Sequence, residues 1–354
     1  ANFYFLVEVY IANPTTFSLV ERHRVYPEVG NYSHFDAKTI TERYAEVNNS
    51  QQAQILPSIK IVVTEYYGTT PVAYLSATSN EILFWKSRLK KKDFASYDNT
   101  EYFLNTATDT KFLTFEPRGT AKVKPADLFY LSILTNGNAV NFEINTYQAN
   151  GTLVDNVVLS GIGTGFNLMT LFSGVNDLIN FNGVDFTNAT YYTIEANNGI
   201  GTTEVFRIDI DFSCQFSTRS RLHWVNSLGG LDSFTFGLLT REKTNVSSFG
   251  YERQFGGFNN SNAYVYSLEN GTVIDYLKSF NKELELTSDW ITQSVQNWLS
   301  NSLYTSPVIN IEENATLYRC KVTNRSFEKK IQETDALFQE VAKIELENDN
   351  SLNV

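Results

Sequence analysis

Three histidines, His23, His34 and His223, are the only imidazoles in this 354-residue chain. Any metal cluster or nucleophile–base pair built on histidine must therefore use one of them. None has the necessary neighbours. His23 sits in the charged segment Glu21-Arg22-His23-Arg24, and His223 alternates with Leu222 and Trp224 on a predicted strand, where a surface or hydrogen-bonded structural role is expected. Gly161-Ile162-Gly163-Thr164-Gly165 has the look of a phosphate-cradling loop. No Lys-Ser/Thr follows it, however, and no crossover helix, so it lacks the strand–turn–helix setting that nucleotide binding needs and reads as a flexible sandwich loop. Asp209/Asp211 and Glu283/Glu285 place paired carboxylates on one face of predicted strands. A glycosidase needs two carboxylates flanking a cleft, and like charges on a solvated sheet face do not define one. Cys214 and Cys320 are too few and too far apart for a disulfide framework and are expected as buried thiols. No catalytic residue, cofactor or metal ligand emerges, and the expectation is a protein that is not an enzyme.

The elements that carry these residues follow from composition. With 42% hydrophobic and 19% charged residues the chain is globular, and its length suggests two or three domains. Aromatic residues reach 14%, Met occurs once, and Asn and Thr abound, which favours strands and turns over helices. A net charge of −11 argues against specific nucleic-acid binding, which needs a basic face to displace counterions. No apolar run reaches the ~18 residues of a spanning helix, so no membrane anchor is expected. The opening Ala1-Asn2-Phe3-Tyr4-Phe5-Leu6 lacks the basic start of a signal peptide, and synthesis in a cytoplasm is the simplest reading. Triplets such as Asn188-Ala189-Thr190 are then chance matches in an Asn- and Thr-rich chain rather than glycosylation sites.

The resulting expectation is a mainly β, multi-domain chain with β-sandwich or β-barrel-like domains and one C-terminal α-helix. An N-terminal β domain spans 1–125, with Phe3–Ile11 and Ile59–Tyr67 as strands, a helix or long loop over Thr39–Ala53, and a solvated basic turn at Arg88–Lys92. A β-sandwich domain spans 126–213. Its signals are Asn136-Gly137 and Asn150-Gly151 turns between alternating runs and strict period-two alternation from Val205 to Phe212. A C-terminal β-rich domain spans 214–354. There Leu222/Trp224 and Phe234/Phe236 alternate on two strands joined by Asn226–Asp232, and Thr287-Ser288-Asp289 offers caps for a helix near 288–303. That helix contains Trp290 and Trp298 and ends at Ser306-Pro307. Further strands are expected at Leu317–Val322 and Glu340–Glu347, with a frayed polar tail from Asn348.

The run Arg221 to Phe236, with Leu-His-Trp-Val-Asn-Ser-Leu-Gly-Gly-Leu-Asp-Ser-Phe-Thr-Phe at its centre, resembles a block of virion tail proteins from phages of Bacteroidetes, including crAss-like phages. Cys214 before it, the Trp290–Leu303 segment, Ser306-Pro307-Val308 and the acidic final strand Ile344–Glu347 with Asn348 extend the likeness over residues 214–354. It thins out over the first 210. The resemblance implies a repeated subunit of a tail ring, hub or neck layer of a tailed bacteriophage virion. Such a subunit is a symmetric homo-oligomer that contacts other tail or neck proteins and forms a conduit through whose lumen genome DNA passes. Structural or interface roles fall on Trp224, Asn226, Gly229, Gly230, Asp232, Phe234, Phe236, Trp290, Trp298 and Pro307. The glycines would permit positive φ in a tight connection, Trp224 and the phenylalanines would fill a core, and Asn226 with Asp232 would satisfy loop amides. A receptor- or glycan-binding β-sandwich of the same particle is the alternative, and the C-terminal place of the block favours a position inside the tail.

Overall fold

The computed structural model describes residues 3–12, 16–28, 33–45, 53–89, 97–106, 109–213, 220–238, 240–253, 256–266, 272–324 and 337–346. Cys214, Lys90–Lys92 and the tail from Asn348 lie outside these residues. The fold is mainly β and multi-sheeted, with no closed barrel among the described residues. Residues 1–212 and 225–232 form one compact unit, and residues 213–224 and 233–354 the other.

The first unit opens with a sheet in the order β2-β1-β3-β4, where β1 is Tyr4–Ala12, β2 Phe17–Val25, β3 Ser58–Tyr67 and β4 Val72–Thr78. All its pairings are antiparallel. Val7, Val9 and Ile11 project from one face of β1 and pack with Ile59 and with Ile40 of helix α1 (Lys38–Tyr44), the helical part of the stretch expected as helix or loop. Period-two alternation thus becomes one apolar face, as a half-buried strand requires.

A two-sheet sandwich follows. One sheet contains β7, β6, β9 and β10 in that order, where β6 is Val140–Tyr147, β7 Leu153–Ile162, β9 Tyr191–Asn197 and β10 Phe206–Ile210; its far edge is the pair Lys122–Val123. The facing sheet contains β5 (Tyr130–Thr135) and β8 (Leu168–Phe172), flanked by Phe103–Leu104 and Ala53–Gln54. Phe142, Ile144, Ile194 and Ile208 from the first meet Leu131, Ile133, Met169 and Leu171 from the second. Helix α2 (Val175–Asn182), which the sequence signals did not disclose, adds Val175 and Leu178 to that core. Three pairings join segments on either side of residue 125: Ala53–Gln54 with β8, Phe103–Leu104 with β5, and Lys122–Val123 with β10.

In the second unit a seven-stranded sheet runs β12-β11-β15-β16-β17-β14-β13. Here β11 is Ser220–Val225, β12 Leu231–Phe236, β13 Arg241–Glu252, β14 Val273–Thr287, β15 Ile309–Glu313, β16 Thr316–Val322 and β17 Val341–Leu346. Helix α3, Gln293–Ser302, lays Val295, Trp298 and Leu299 on Leu222, Trp224, Leu286 and Ile344. This helix starts later than expected. Thr292 is its N-cap residue, Ile291 and Thr292 pair with Phe338 and Leu337 instead, and the Ser288 hydroxyl accepts from the Glu340 N–H at 2.8 Å. Trp290 consequently stands outside the helix and is exposed.

On the outer face of the β6–β9 pair Glu143 and Glu195 stand directly opposite each other. Like charges so placed are unfavourable. The Glu195 carboxyl is raised above its ordinary range, first by burial and then by the Glu143 and Asp109 carboxylates. A carboxyl whose folded pKa lies above its unfolded value costs stability once ionised. The cost is absent below the unfolded pKa and complete above the folded one. Glu195→Gln is therefore expected to melt higher than the parent at pH 7, and the difference should close as the pH falls through about 4.3. Thermal melts across that range measure it.

Candidate functional site

The residues singled out in Arg221–Phe236 divide between the units. Residues 225–232 connect two strands of the second unit yet belong to the first. Their organiser is Asn226, which is buried. Its Nδ2 donates to the Leu113 carbonyl at 2.7 Å and to Asp232 Oδ1 at 2.8 Å, while its Oδ1 accepts from the Leu228 and Gly230 N–H groups at 2.9 and 3.1 Å. An asparagine side chain offers two donors and two lone pairs, so this amide is saturated.

The rest of the turn follows from how closely it lies against its surroundings. Trp85 Nε1 donates to the Leu228 carbonyl at 2.7 Å, and the Arg88 N–H donates to the Ser227 carbonyl at 2.8 Å. Leu228 itself is buried with Leu56, Tyr102, Leu113 and Leu134. A Cβ on Gly229, whose φ is +90°, would come within 2.5 Å of the Lys86 carbonyl oxygen, and one on Gly230 within 2.1 Å of the Leu113 oxygen. Both glycines are required by space, and Gly229 by backbone conformation as well.

In the second unit Trp224 is buried, its ring centroid 5.3 Å from that of Trp298, and its Nε1 donates to Ser302 Oγ at 2.7 Å. Phe236 is buried in the same core and Phe234 packs against it, edge-on to Phe236. The Pro307 carbonyl accepts from Arg319 Nη2 at 2.6 Å. Cys320 is buried in this core.

All six residues of β11 are buried, and its second face carries charge. Glu312 on β15 stands opposite Arg221. Its Oε2 is 2.7 Å from His223 Nε2 and 3.9 Å from Arg221 Nε, while Arg221 Nη1 and Nη2 donate to Thr235 Oγ1 and Ser233 Oγ at 2.7 and 2.6 Å. The three side chains are at most 7% exposed. His223 is thus a buried, hydrogen-bonded residue. A substrate cannot reach it, and its carboxylate partner is already engaged by an arginine.

The other chemical candidates are also accounted for by local bonds. His23 Nε2 meets Glu21 Oε2 at 2.8 Å. Glu285 pairs with Lys343 at 3.2 Å, and Glu283 Oε1 accepts from Thr323 Oγ1 at 3.3 Å. In the glycine loop the Gly165 N–H donates to the Gly137 carbonyl at 2.8 Å, and a Cβ on Gly163 would collide with Met169 Sδ at 2.0 Å. The loop is a packed turn. Among the described residues no group of three or more His, Cys, Asp or Glu side chains is placed to hold a metal ion. Nor is any described helix long and apolar enough to cross a membrane.

An open cleft of about 620 Å³, not signalled by any motif, lies at one end of the sandwich and is lined by Lys122, Tyr191, Arg207, Asp209 and Asp211 among others. Strand register alone brings these residues together, because Tyr191 pairs with Asp209 and Asp209 with Lys122. Tyr191 stacks on Tyr147 at 5.0 Å, and Arg207 Cζ lies 3.8 Å over the Tyr191 ring while its Nε donates to Asp209 at 2.9 Å. No protein-family model matches the chain, and no curated protein matches it either.

Two substitutions test whether these polar clusters hold the fold. Asn226→Ala leaves the Leu113 carbonyl and two N–H groups buried without their partner, each worth about 1–3 kcal/mol. Urea unfolding should show a loss of about 3 kcal/mol or more. Glu312→Gln, which removes the buried carboxylate and keeps its shape, should cost about 3–5 kcal/mol in the same measurement.

Proposed function

We propose that this chain is a structural component of a tailed bacteriophage virion, a repeated subunit of a tail ring, hub or neck layer that forms the conduit between capsid and tail. The observation that carries the reading is the Arg221–Phe236 block. It supplies the likeness to tail proteins, and every position singled out within it has a mechanical task. Asn226 and the two glycines set a turn, Asp232 supports it, and Trp224, Phe234 and Phe236 fill the core. The buried Arg221–His223–Glu312 cluster is likewise spent on holding strands in register. The reading includes no catalytic role and no cofactor. Its partners are further copies of the chain and other tail or neck proteins, in a virion assembled in a bacterial cytoplasm. The net charge of −11 suits a conduit that DNA must pass without adhering.

The glycan-binding alternative draws on the cleft beside Tyr191. Sugar rings bind aromatic faces, and the Tyr191 ring is already engaged by Tyr147 and by Arg207. That side chain is part of a stack within the sheet, which favours the structural reading.

Electron microscopy of the intact particle is the deciding experiment. Density for this chain in a ring-shaped tail layer is the expected result, with many copies around the tail axis. Density at a peripheral fibre, together with glycan binding by the purified chain, would overturn the proposal in favour of the alternative.

A further inference from the structure

The two edges of the first sheet differ in one respect. The free edge of β2 carries Glu21, Arg22, His23 and Arg24, the charged protection usual for an unpaired strand. The opposite edge, β4, reads Val72-Ala-Tyr-Leu-Ser-Ala-Thr78, without a charge or a proline. All seven residues are exposed, Tyr74 to 78%. A bulge sets Tyr74 and Leu75 together opposite the single Glu65.

The second unit has a matching feature. Strand β13 is the edge of the seven-stranded sheet, exposed along all 12 residues, and only β14 pairs with it among the described residues. Its eight central residues, Thr244–Tyr251, are uncharged, with Val246, Phe249 and Tyr251 exposed. Phe258, Tyr264 and Val265 are exposed on the short hairpin that follows.

We infer that β13 of one copy pairs edge to edge with β4 of the next, so that identical chains join head to tail. This inference rests on the tail-layer reading and names the surface through which its copies would meet. Charge selects the partner and the direction. Over most of its surface a chain of net charge −11 repels another copy, whereas these two strips carry no charge and are of similar length. In the antiparallel sense Arg241, Glu242 and Lys243, together one positive charge, fall at the Thr78 end beside Glu81. The parallel sense would bring Glu252 and Arg253 there, with no net charge to meet Glu81. Each copy contributes one edge of each kind, a heterologous contact that leaves free edges until a ring closes.

Lysines at the centre of an edge strand block such pairing. Two full-length variants, Tyr74→Lys with Leu75→Lys, and Val246→Lys with Ser247→Lys, alter exposed positions and should melt as the parent does. Mass photometry at micromolar concentration should find the parent assembled and each variant alone monomeric. An equimolar mixture of the two should give a dimer and nothing larger, because one intact β4 and one intact β13 remain to pair. A variant that assembles like the parent, a mixture that stays monomeric, or a parent that never assembles would each overturn the inference. The tail-layer reading stays separately testable: a ring formed by the lysine variants sinks only this contact, whereas density outside the tail sinks the reading itself.

Discussion

The side-chain amide of Asn226 is the interaction on which the turn at residues 225–232 depends. A buried amide with two donors and two acceptors is stable only when all four are used, and here the partners are a distant carbonyl, a carboxylate and two N–H groups of its own turn. Because one bond goes to Leu113, the turn backbone must approach that carbonyl closely. That approach removes the side chain at residue 230, while at residue 229 the Lys86 carbonyl and the Trp85 ring, together with positive φ, remove it. Leu228 is carried by the same turn into the core that contains Leu113.

Strand β11 imposes a second constraint. Leu222 and Trp224 face the α3 core, and alternation sends Arg221 and His223 to the other face, which is buried as well. A charge there must find its counter-charge inside the protein. Glu312 meets that requirement by strand register, since it sits opposite Arg221 on β15. The Ser233 and Thr235 hydroxyls on β12 each accept a hydrogen bond from the guanidinium. The His–Glu pairing that in a cleft would suggest acid–base chemistry is here part of a buried ionic lattice.

Local patterning made a large share of this legible. Extended runs marked β1 and β3, alternation marked β6 and β10, Asn150-Gly151 marked the hairpin turn between β6 and β7, and Asn226-to-Asp232 marked the connection that Asn226 organises; Asn136-Gly137, expected as a hairpin turn as well, instead joins β5 and β6, which lie in different sheets. Features set by distant partners were hidden. The run from Ile291 has helical spacing, but Ile291 and Thr292 find strand partners at Phe338 and Leu337, so the helix begins two residues on. Helix α2 is eight residues long between Gly174 and Gly183, too short for its period to stand out. Pairings such as Ala53–Gln54 with β8 have no local signature at all. Of the site residues, Trp224, Asn226, Gly229 and Gly230 could be read from type and spacing, whereas Glu312 could not, because it lies 89 residues from His223.

Acidity and exposed edges constrain each other. Long-range repulsion between chains of net charge −11 is screened beyond about 8 Å at physiological ionic strength, so what governs contact is the charge within the contact itself. Placing the bare edges at Val72–Thr78 and Thr244–Tyr251 removes that local repulsion at two strips and leaves it elsewhere. The arrangement discourages unspecific clustering, which a uniformly neutral surface would permit. It also explains why β2 keeps its charges while β4, at the other side of the same sheet, has none. A strand that needs only to remain soluble gains from charge at no structural cost, so its absence along one edge is a difference that stability of the isolated chain does not account for.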